Sequence, residues 1–438
     1  MTKSTTGRLS RRSLGAFALA IAMALPGAAG AQQIELSILG SPNFSPQATL
    51  PEVAAAYKAA WDKFEADNPD IKLVLEQHSG STEALQDILT RGTAGRLPDM
   101  GVMDTFWVPR LHASQYLQPL DNVLTAEDKA DFLPGVLEAT THDGALRAIY
   151  IYNPWRGLFY RPSVLKDLGV DAPPTDWNAF LEFGKKAREK HPSAIMLPAS
   201  MSELTMQYLY TQYLGLGGEL TDDKGVPSFF EPGNREKLEQ VYGMWRQLTE
   251  QGLMPTEVGT MDEAATRPFF YTGETVLLGA STSSIKQMYA DNPSLVGDLD
   301  ASPMPLTDGA KPVPLLAAWS YVIFTKDPVH AEAASRFISY MLSPDVLGRL
   351  NAAQGHLPMR KSIWATNADF AADPLMQRLY GIMNDPRLRE RSIFPIYPAI
   401  KDAITGQMAD VLAGRITPAQ AVDNAKTIAM DAYGRMKG

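Results

Sequence analysis

The 438-residue chain contains no cysteine. That absence excludes thiol catalysis, thiolate metal sites and attachment of lipid through cysteine, and it leaves stability to the burial that large domains provide. Phosphate-cradling Gly-x-x-x-x-Gly-Lys runs are missing as well, and "GLGGEL" (residues 215–220) lacks the spacing of a dinucleotide-binding loop. There is no Gly-x-Ser-x-Gly nucleophile elbow. The six histidines, His78, His112, His142, His191, His330 and His356, are scattered without the close pairs of zinc sites, so each reads as a surface or satisfied partner residue. Positive charge is in short supply too: 40 Lys and Arg against 49 Asp and Glu give a formal charge of −9, which argues against nucleic acid or anionic lipid as a partner.

Long apolar runs are likewise scarce, and the one conspicuous run is at the start. Arg8, Arg11 and Arg12 precede the acid-free stretch "LGAFALAIAMALPGAAGA", which ends in Ala29-Gly30-Ala31. This is the pattern of a secretory signal over residues 1–31 with cleavage after Ala31, and it implies a periplasmic location. "SRRSLG" (residues 10–15) resembles the twin-arginine export motif; an ordinary signal peptide with adjacent arginines is the alternative. Cleavage would remove Lys3, Arg8, Arg11 and Arg12 and no acid, taking the formal charge from −9 to −13. The remaining chain, in a protein 45% hydrophobic and 20% charged, suits a soluble protein too long for one core, so two lobes are expected.

The mature sequence opens with an apolar run, "IELSILG", ended by Gly40-Ser41-Pro42, then a helical stretch with Val53, Tyr57, Trp61 and Phe64 at three- or four-residue steps, then "IKLVLEQ". Strand, helix and strand in that order form a βαβ unit and predict a parallel sheet flanked by helices. The rhythm repeats with "STEALQDILTRGTAG", "LPDMGVMDTFW" and "VPRLHASQYLQPL", and it restarts after residue 170 with "TDWNAFLEFGKKAREK", "SAIMLPAS" and "ELTMQYLYTQYLG". "GETVLLGASTSSIKQM" reads as strand, Ser/Thr loop and helix, "PVPLLAAWSYVIFTKD" as strand, and "HAEAASRFISYML" as helix. Ligands of open parallel sheets sit beyond the carboxyl ends of the strands. The loops at 41–47, 79–82 and 104–107 should therefore share one rim. Phe44, Phe106, Trp107, Trp155, Trp319, Phe394 and Tyr397 all fall at predicted strand ends or loops. Facing one another across two lobes, such rings would suit the apolar face of a sugar, with Asp, Asn, Ser and Arg holding its hydroxyls.

In matching order over residues 32–438, the segments "AAWDKFEADNPDIKLVLEQ", "LPDMGVMDTFWVPRLHASQYLQPLD", "GLFYRPSVLKDLGVDAPPTDWNAFLEFGKKA", "FFYTGETVLLGASTSS" and "LAAWSYVIFTKDPVHAEAASRFISYMLSPDVLGRLNAAQGHLPMRKS" resemble the extracellular solute-binding proteins of ABC importers, in the sugar-binding group that includes maltose-binding protein. The resemblance implies an α/β, two-lobed periplasmic-binding-protein fold of type II with the ligand cleft between the lobes. It places residues 32–152 and 303–343 in the first lobe and 153–302 and 344–438 in the second, with crossings near Tyr152, Pro303 and Ser343. By position it offers Ser41, Asn43, Ser79, Ser81, Asp104, Trp107, Asn153, Trp155, Arg156, Glu203, Ser281, Thr282, Trp319, His356 and Arg360 as ligand-binding residues.

The function implied is non-enzymatic and needs no cofactor or metal: capture of a carbohydrate or sugar-like solute by a monomer, with closure presenting it to the membrane permease subunits. The family wording Tyr-Asn-Lys-Asp is replaced here by Tyr160-Arg161-Pro162-Ser163, with "NPWR" ahead of it. That departure bears on which solute is bound. Arg156, with Arg360, leaves open an anionic solute such as glycerol 3-phosphate, a phosphodiester, a sulfonated sugar or a uronate, because a guanidinium grips such groups through paired hydrogen bonds. The alternative for Arg156 is a salt bridge at the hinge. Asp104 and Glu203 leave open an exported glycoside-acting enzyme, whose carboxylate separation the sequence does not supply.

Overall fold

The computed structural model describes residues 33–78, 81–307, 309–391 and 394–437. Residues 1–31, where the sequence pattern predicts an export signal, and Ser79 lie outside them.

The first strands and helices follow from their apolar spacing. β1 (Ile34–Gly40) and β2 (Ile71–Gln77) pair in parallel, and the chain joins them through α1 (Pro51–Asp67), which starts on a proline at its first turn. Val53, Tyr57, Trp61 and Phe64 form the buried face of α1. α2 (Ser81–Thr93) leads to β3 (Met100–Asp104), which lies parallel to β1. The short β4 (Ile149–Tyr150) is the last element of this half before the chain leaves the sheet.

A second sheet starts at once with β5 (Arg156–Tyr160). α3 (Trp177–Arg188), β6 (Ser193–Met196), α4 (Glu203–Gly215), α5 (Asn234–Glu250), α6 (Glu263–Tyr271), β7 (Thr275–Ser281), α7 (Ile285–Asp291) and β8 (Asp300–Ser302) complete it. Its order is β8-β5-β7-β6. β7 is buried along its whole length, and so are Gly157, Leu158, Phe159 and Tyr160 of β5. Such near-complete burial, without in-and-out alternation along β5, is what a sheet covered on both faces requires.

The chain then returns. β9 (Leu315–Leu316) pairs with the distant β11 (Arg389–Glu390), and β10 (Trp319–Ile323) enters the first sheet antiparallel to both β3 and β4, giving the order β2-β1-β3-β10-β4. α8 (Pro328–Met341) sets Phe337 edge-on to Trp61 and Phe64 of α1, at ring separations of 5.6 and 5.1 Å. α9 (Pro344–Gln354) also packs against α1. α10 (Pro374–Met383) lies against β8, while α11 (Tyr397–Thr405) and α12 (Pro418–Lys437) pack together in the second lobe, α12 also against α5. Among the described residues no helix is long and apolar enough to cross a membrane.

Candidate functional site

The carboxyl end of β3 and the amino end of β10 meet, because Trp319 stands opposite Asp104 in the antiparallel ladder. Trp319 is half-buried and carries rings on two sides: His78 stacks on it at 5.6 Å with an 11° interplanar angle, and Phe44 lies 5.5 Å away. Phe44 in turn touches Tyr152, on which His356 stacks at 3.8 Å. Phe44, Tyr152, Trp319 and His356 border a cavity of about 270 Å³, whose rim adds Ser41, Asn43, Gln354 and, from the loop after β7, Ser283. Gln354 is held there by its amide, which donates to the Asn43 carbonyl at 2.6 Å.

Burial depresses His356 to about 3, so its ring is neutral in the folded protein. Its ordinary value is 6.5. A histidine whose folded value lies below its unfolded one supports the fold fully above about pH 6.5 and loses that support as pH falls toward 3, since the unfolded chain takes the proton first. Stability of the wild type should therefore drop by close to one proton's worth between pH 6.5 and 5, before most carboxylates titrate. His356→Gln should flatten that limb in denaturant titrations, and an unchanged slope would refute the assignment.

Next to the rings, the two lobes touch through a charged cluster centred on Arg391. Its side chain is 3% exposed. Nη2 donates to Asp104 Oδ1 at 2.6 Å and to Thr105 Oγ1 at 3.1 Å, both in the first lobe, and Nη1 donates to Glu203 Oε1 at 3.1 Å, at the start of α4 in the second. Nε faces the carboxylate of Glu390 at 3.3 Å, and the guanidinium also lies over the Phe106 ring at 5.3 Å. Burial alone would lower the pKa of Arg391, yet Asp104, Glu203 and Glu390 outweigh it and hold the group well above its ordinary value. Glu390 is pushed up by burial, against the pull of Arg391, and accepts the hydroxyl of Tyr150.

The cluster continues into the second lobe. Tyr397 donates to Glu203 Oε1 at 3.1 Å, and Gln207 donates to the same oxygen at 2.9 Å while accepting Nη1 of Arg156 at 2.5 Å. Burial lowers the pKa of Arg156. Glu263, raised by burial, accepts the backbone N–H of Ser281 at 3.1 Å and the hydroxyl of Ser284.

The structure sorts the sequence candidates into four groups. Ser41, Asn43, Trp319 and His356 border the ring-lined cavity, and Asp104 and Glu203 are the two ends of the Arg391 bridge across the lobes. Trp155, Arg156, Ser281 and Thr282 stand together at the head of β5 and β7, where Arg156 faces Ser281 in the ladder and Thr282 exchanges hydrogen bonds with the Trp155 backbone at 2.9 and 3.0 Å. The Trp155 ring lies on Gly157, where an added Cβ would sit 2.1 Å from it.

Three others serve elsewhere. Asn153 is fully buried and its amide is spent on the Leu315 carbonyl at 2.8 Å and the Ala317 N–H at 2.7 Å, so it clasps the two crossings rather than facing the cleft. Arg360 belongs to the framework rather than the cleft: it pairs with Asp128 and Asp131, each at 2.7 Å, and donates to the Leu342 carbonyl at 2.9 Å. Trp107 is buried in the cluster formed with Leu85, Ile88 and Leu111. Ser81 opens α2, and Ser79 lies outside the described residues. Gln354 and Ser283 on the cavity rim, and Arg391, Glu390 and Gln207 in the charged cluster, are the cleft residues that sequence reasoning missed. The arginines at 387, 389 and 391 stand out in the sequence, yet nothing there distinguishes the buried third from the two exposed ones.

Among the described residues no group of three or more His, Asp or Glu side chains is arranged to hold a metal ion.

Comparison with known proteins gives one family. The sequence profile described as "Bacterial extracellular solute-binding protein" matches residues 47–347. The maltotriose-binding protein of Pyrococcus abyssi is 21% identical over 373 residues, 83% of this chain and 75% of that protein. A binding protein of Brucella abortus is 22% identical over 361 residues, 81% of this chain and 84% of the relative. Among solved structures, the sugar-binding protein MalE of Xanthomonas citri superposes with a TM-score of 0.77 at 21% identity, covering 92% of this chain and 98% of its own. Maltose-bound MalE3 of T. maritima gives 0.74 at 21% identity, covering 91% and 99%. The fold is thus the α/β, two-lobe fold of these binding proteins.

Proposed function

Because the chain belongs to the bacterial extracellular solute-binding proteins, we propose that it is the exported, monomeric binding component of an ABC importer, which traps a neutral sugar or sugar-like solute by closing its lobes and hands it to the membrane permease. The observation that carries this reading is the half-buried Trp319, flanked by His78 and Phe44 beneath a rim of Ser41, Asn43, Gln354 and Ser283. An aromatic face accepts the C–H side of a pyranose, and short polar side chains suit its hydroxyls. The maltose-bound MalE3 structure and the relative named as a maltotriose-binding protein agree with this class of solute. The charge in the cleft points the same way. Arg391 is already matched by three carboxylates, so the cleft offers an anionic solute no spare guanidinium there. Asp104 and Glu203 are bound up with that arginine, so the reading involves no chemical step on the solute.

A thermal-shift panel on the mature protein tests it. Neutral mono-, di- and trisaccharides are expected to raise the melting point in proportion to the logarithm of their excess over Kd. Their phosphorylated, sulfonated and carboxylated relatives should add nothing further, and a shift confined to those anions would replace this reading with the anionic one. Trp319→Ala should weaken the best sugar about tenfold or more through lost contact area and stacking, with the unliganded melting point lowered by the lost packing against His78 and Phe44 but unfolding still cooperative. Equal affinity in this variant would remove Trp319 from the site.

A further inference from the structure

A cavity of about 410 Å³ shares no lining residue with the solute cavity. Its walls come from the end of the first crossing (Trp155 and Arg156), from the second crossing (Pro303, Met304 and residues 310–314), from the last turn of α10 (Gly381 and Ile382) and from the segment after it (Asp385 and Arg387). Trp155, Met304, Val313, Pro314 and Ile382 supply apolar wall, and three cations, Arg156, Lys311 and Arg387, stand on it.

The charges in this wall do not cancel. Its only carboxylate is Asp385, which is taken by Arg387 at 2.6 Å, and Arg387 also donates to the Lys311 carbonyl at 3.2 Å. Arg387 holds Asp385 below its ordinary value, so that pair is self-contained. Arg156, by contrast, makes its hydrogen bonds only to neutral acceptors: Nη1 donates to the Gln207 amide and to the Pro154 carbonyl, its buried Nε has no hydrogen-bond partner among the described residues, and the nearby carboxylates of Glu263 and Glu203 act on it without a direct hydrogen bond. A guanidinium beside apolar wall with an N–H to spare is short of an acceptor, and the most favourable one is an anion.

We infer that this hinge cavity is a second ligand site, separate from the solute cleft, for a small amphipathic anion: an apolar or aromatic body lying against Trp155, Met304 and Ile382, with its acid group between Arg156 and Lys311. Carboxylate, sulfonate and phosphate share the chemistry required. The Arg156 feature that suggested an anionic solute is thus assigned to a different cavity from the one that holds the sugar.

The test uses 8-anilinonaphthalene-1-sulfonate on the folded mature protein, followed by its fluorescence. One saturable, blue-shifted site is expected. Ile382→Trp, which fills the cavity, should abolish it, and Arg156→Gln and Lys311→Glu should each weaken it by about tenfold, the loss of one charge-assisted contact. N-phenyl-1-naphthylamine, the same body without the charge, should bind at least about tenfold more weakly for the same reason. Trp319→Ala should leave the fluorescent site intact, which separates this outcome from any failure of the sugar assignment. Wild-type affinity in Ile382→Trp, or equal binding of the neutral compound, overturns the inference. Should Ile382→Trp fail to melt cooperatively, the surface variant Lys311→Glu decides: undiminished affinity there overturns it as well.

Discussion

Arg391→Met is expected to lower the unfolding free energy by about 3 kcal/mol, the low end of what breaking a buried ion pair costs. Methionine fills much of the same volume, so the effect is electrostatic rather than a cavity. Without the guanidinium, Glu390 is left buried with only the Tyr150 hydroxyl and backbone for company, and Asp104 and Glu203 lose the cation that joins them. Their side chains are 19% and 29% exposed, which lets water screen part of the loss and sets the estimate at the low end.

The bridge also spans the lobes. Asp104 ends β3 of the first sheet, and Glu203 opens α4 beside the second. Removing the cation should therefore weaken this contact between the lobes in the unliganded protein, read as a larger radius of gyration in solution scattering. Asp104→Asn should show the same expansion. In the double variant the stability losses should fall short of additive, because both changes break one network. A melting point within about a degree of wild type, together with unchanged scattering, would show that the cluster carries little of the fold's stability.

Much of the framework can be read along the sequence. The spacing of Val53, Tyr57, Trp61 and Phe64 marks the buried face of α1, and the apolar run before Gly40 is β1, because burial on one stripe or in one sheet leaves a period in the chain. The aromatics at strand ends were visible for the same reason: a ring after an apolar run falls at the end of a strand. Pairings between distant segments leave no such trace. Arg391 meets partners 188 and 287 positions away, and Arg360 meets carboxylates 229 and 232 positions away, so a cation bound for the cleft and one bound for the framework look alike in sequence. The return crossing has the same difficulty. A boundary at Ser343 rests on local wording, whereas α9, which follows it, packs against α1.

Asn153→Ala tests the sharpest of these differences, since a polar residue beside a crossing suggested a solute contact and the structure shows a clasp. The variant strands a buried N–H on Ala317 and a carbonyl on Leu315, at about 1–3 kcal/mol for each group left without a partner. Both strands of the clasp are connections between lobes: Asn153 lies between β4 and β5, while Leu315 and Ala317 lie between β8 and β10. The expected result is a clear drop in melting temperature with sugar affinity, measured well below that temperature, within about twofold of wild type. A polar side chain that held solute would do the reverse, costing about tenfold in affinity for one lost hydrogen bond and little in stability. Asn153→Asp sharpens the distinction. It keeps an acceptor for the Ala317 N–H but sets a second oxygen against the Leu315 carbonyl, so it must bury either a charge or a proton. Its stability should therefore fall as pH rises above the ordinary aspartate range, an effect that a solvent-facing residue in an open cleft would not produce.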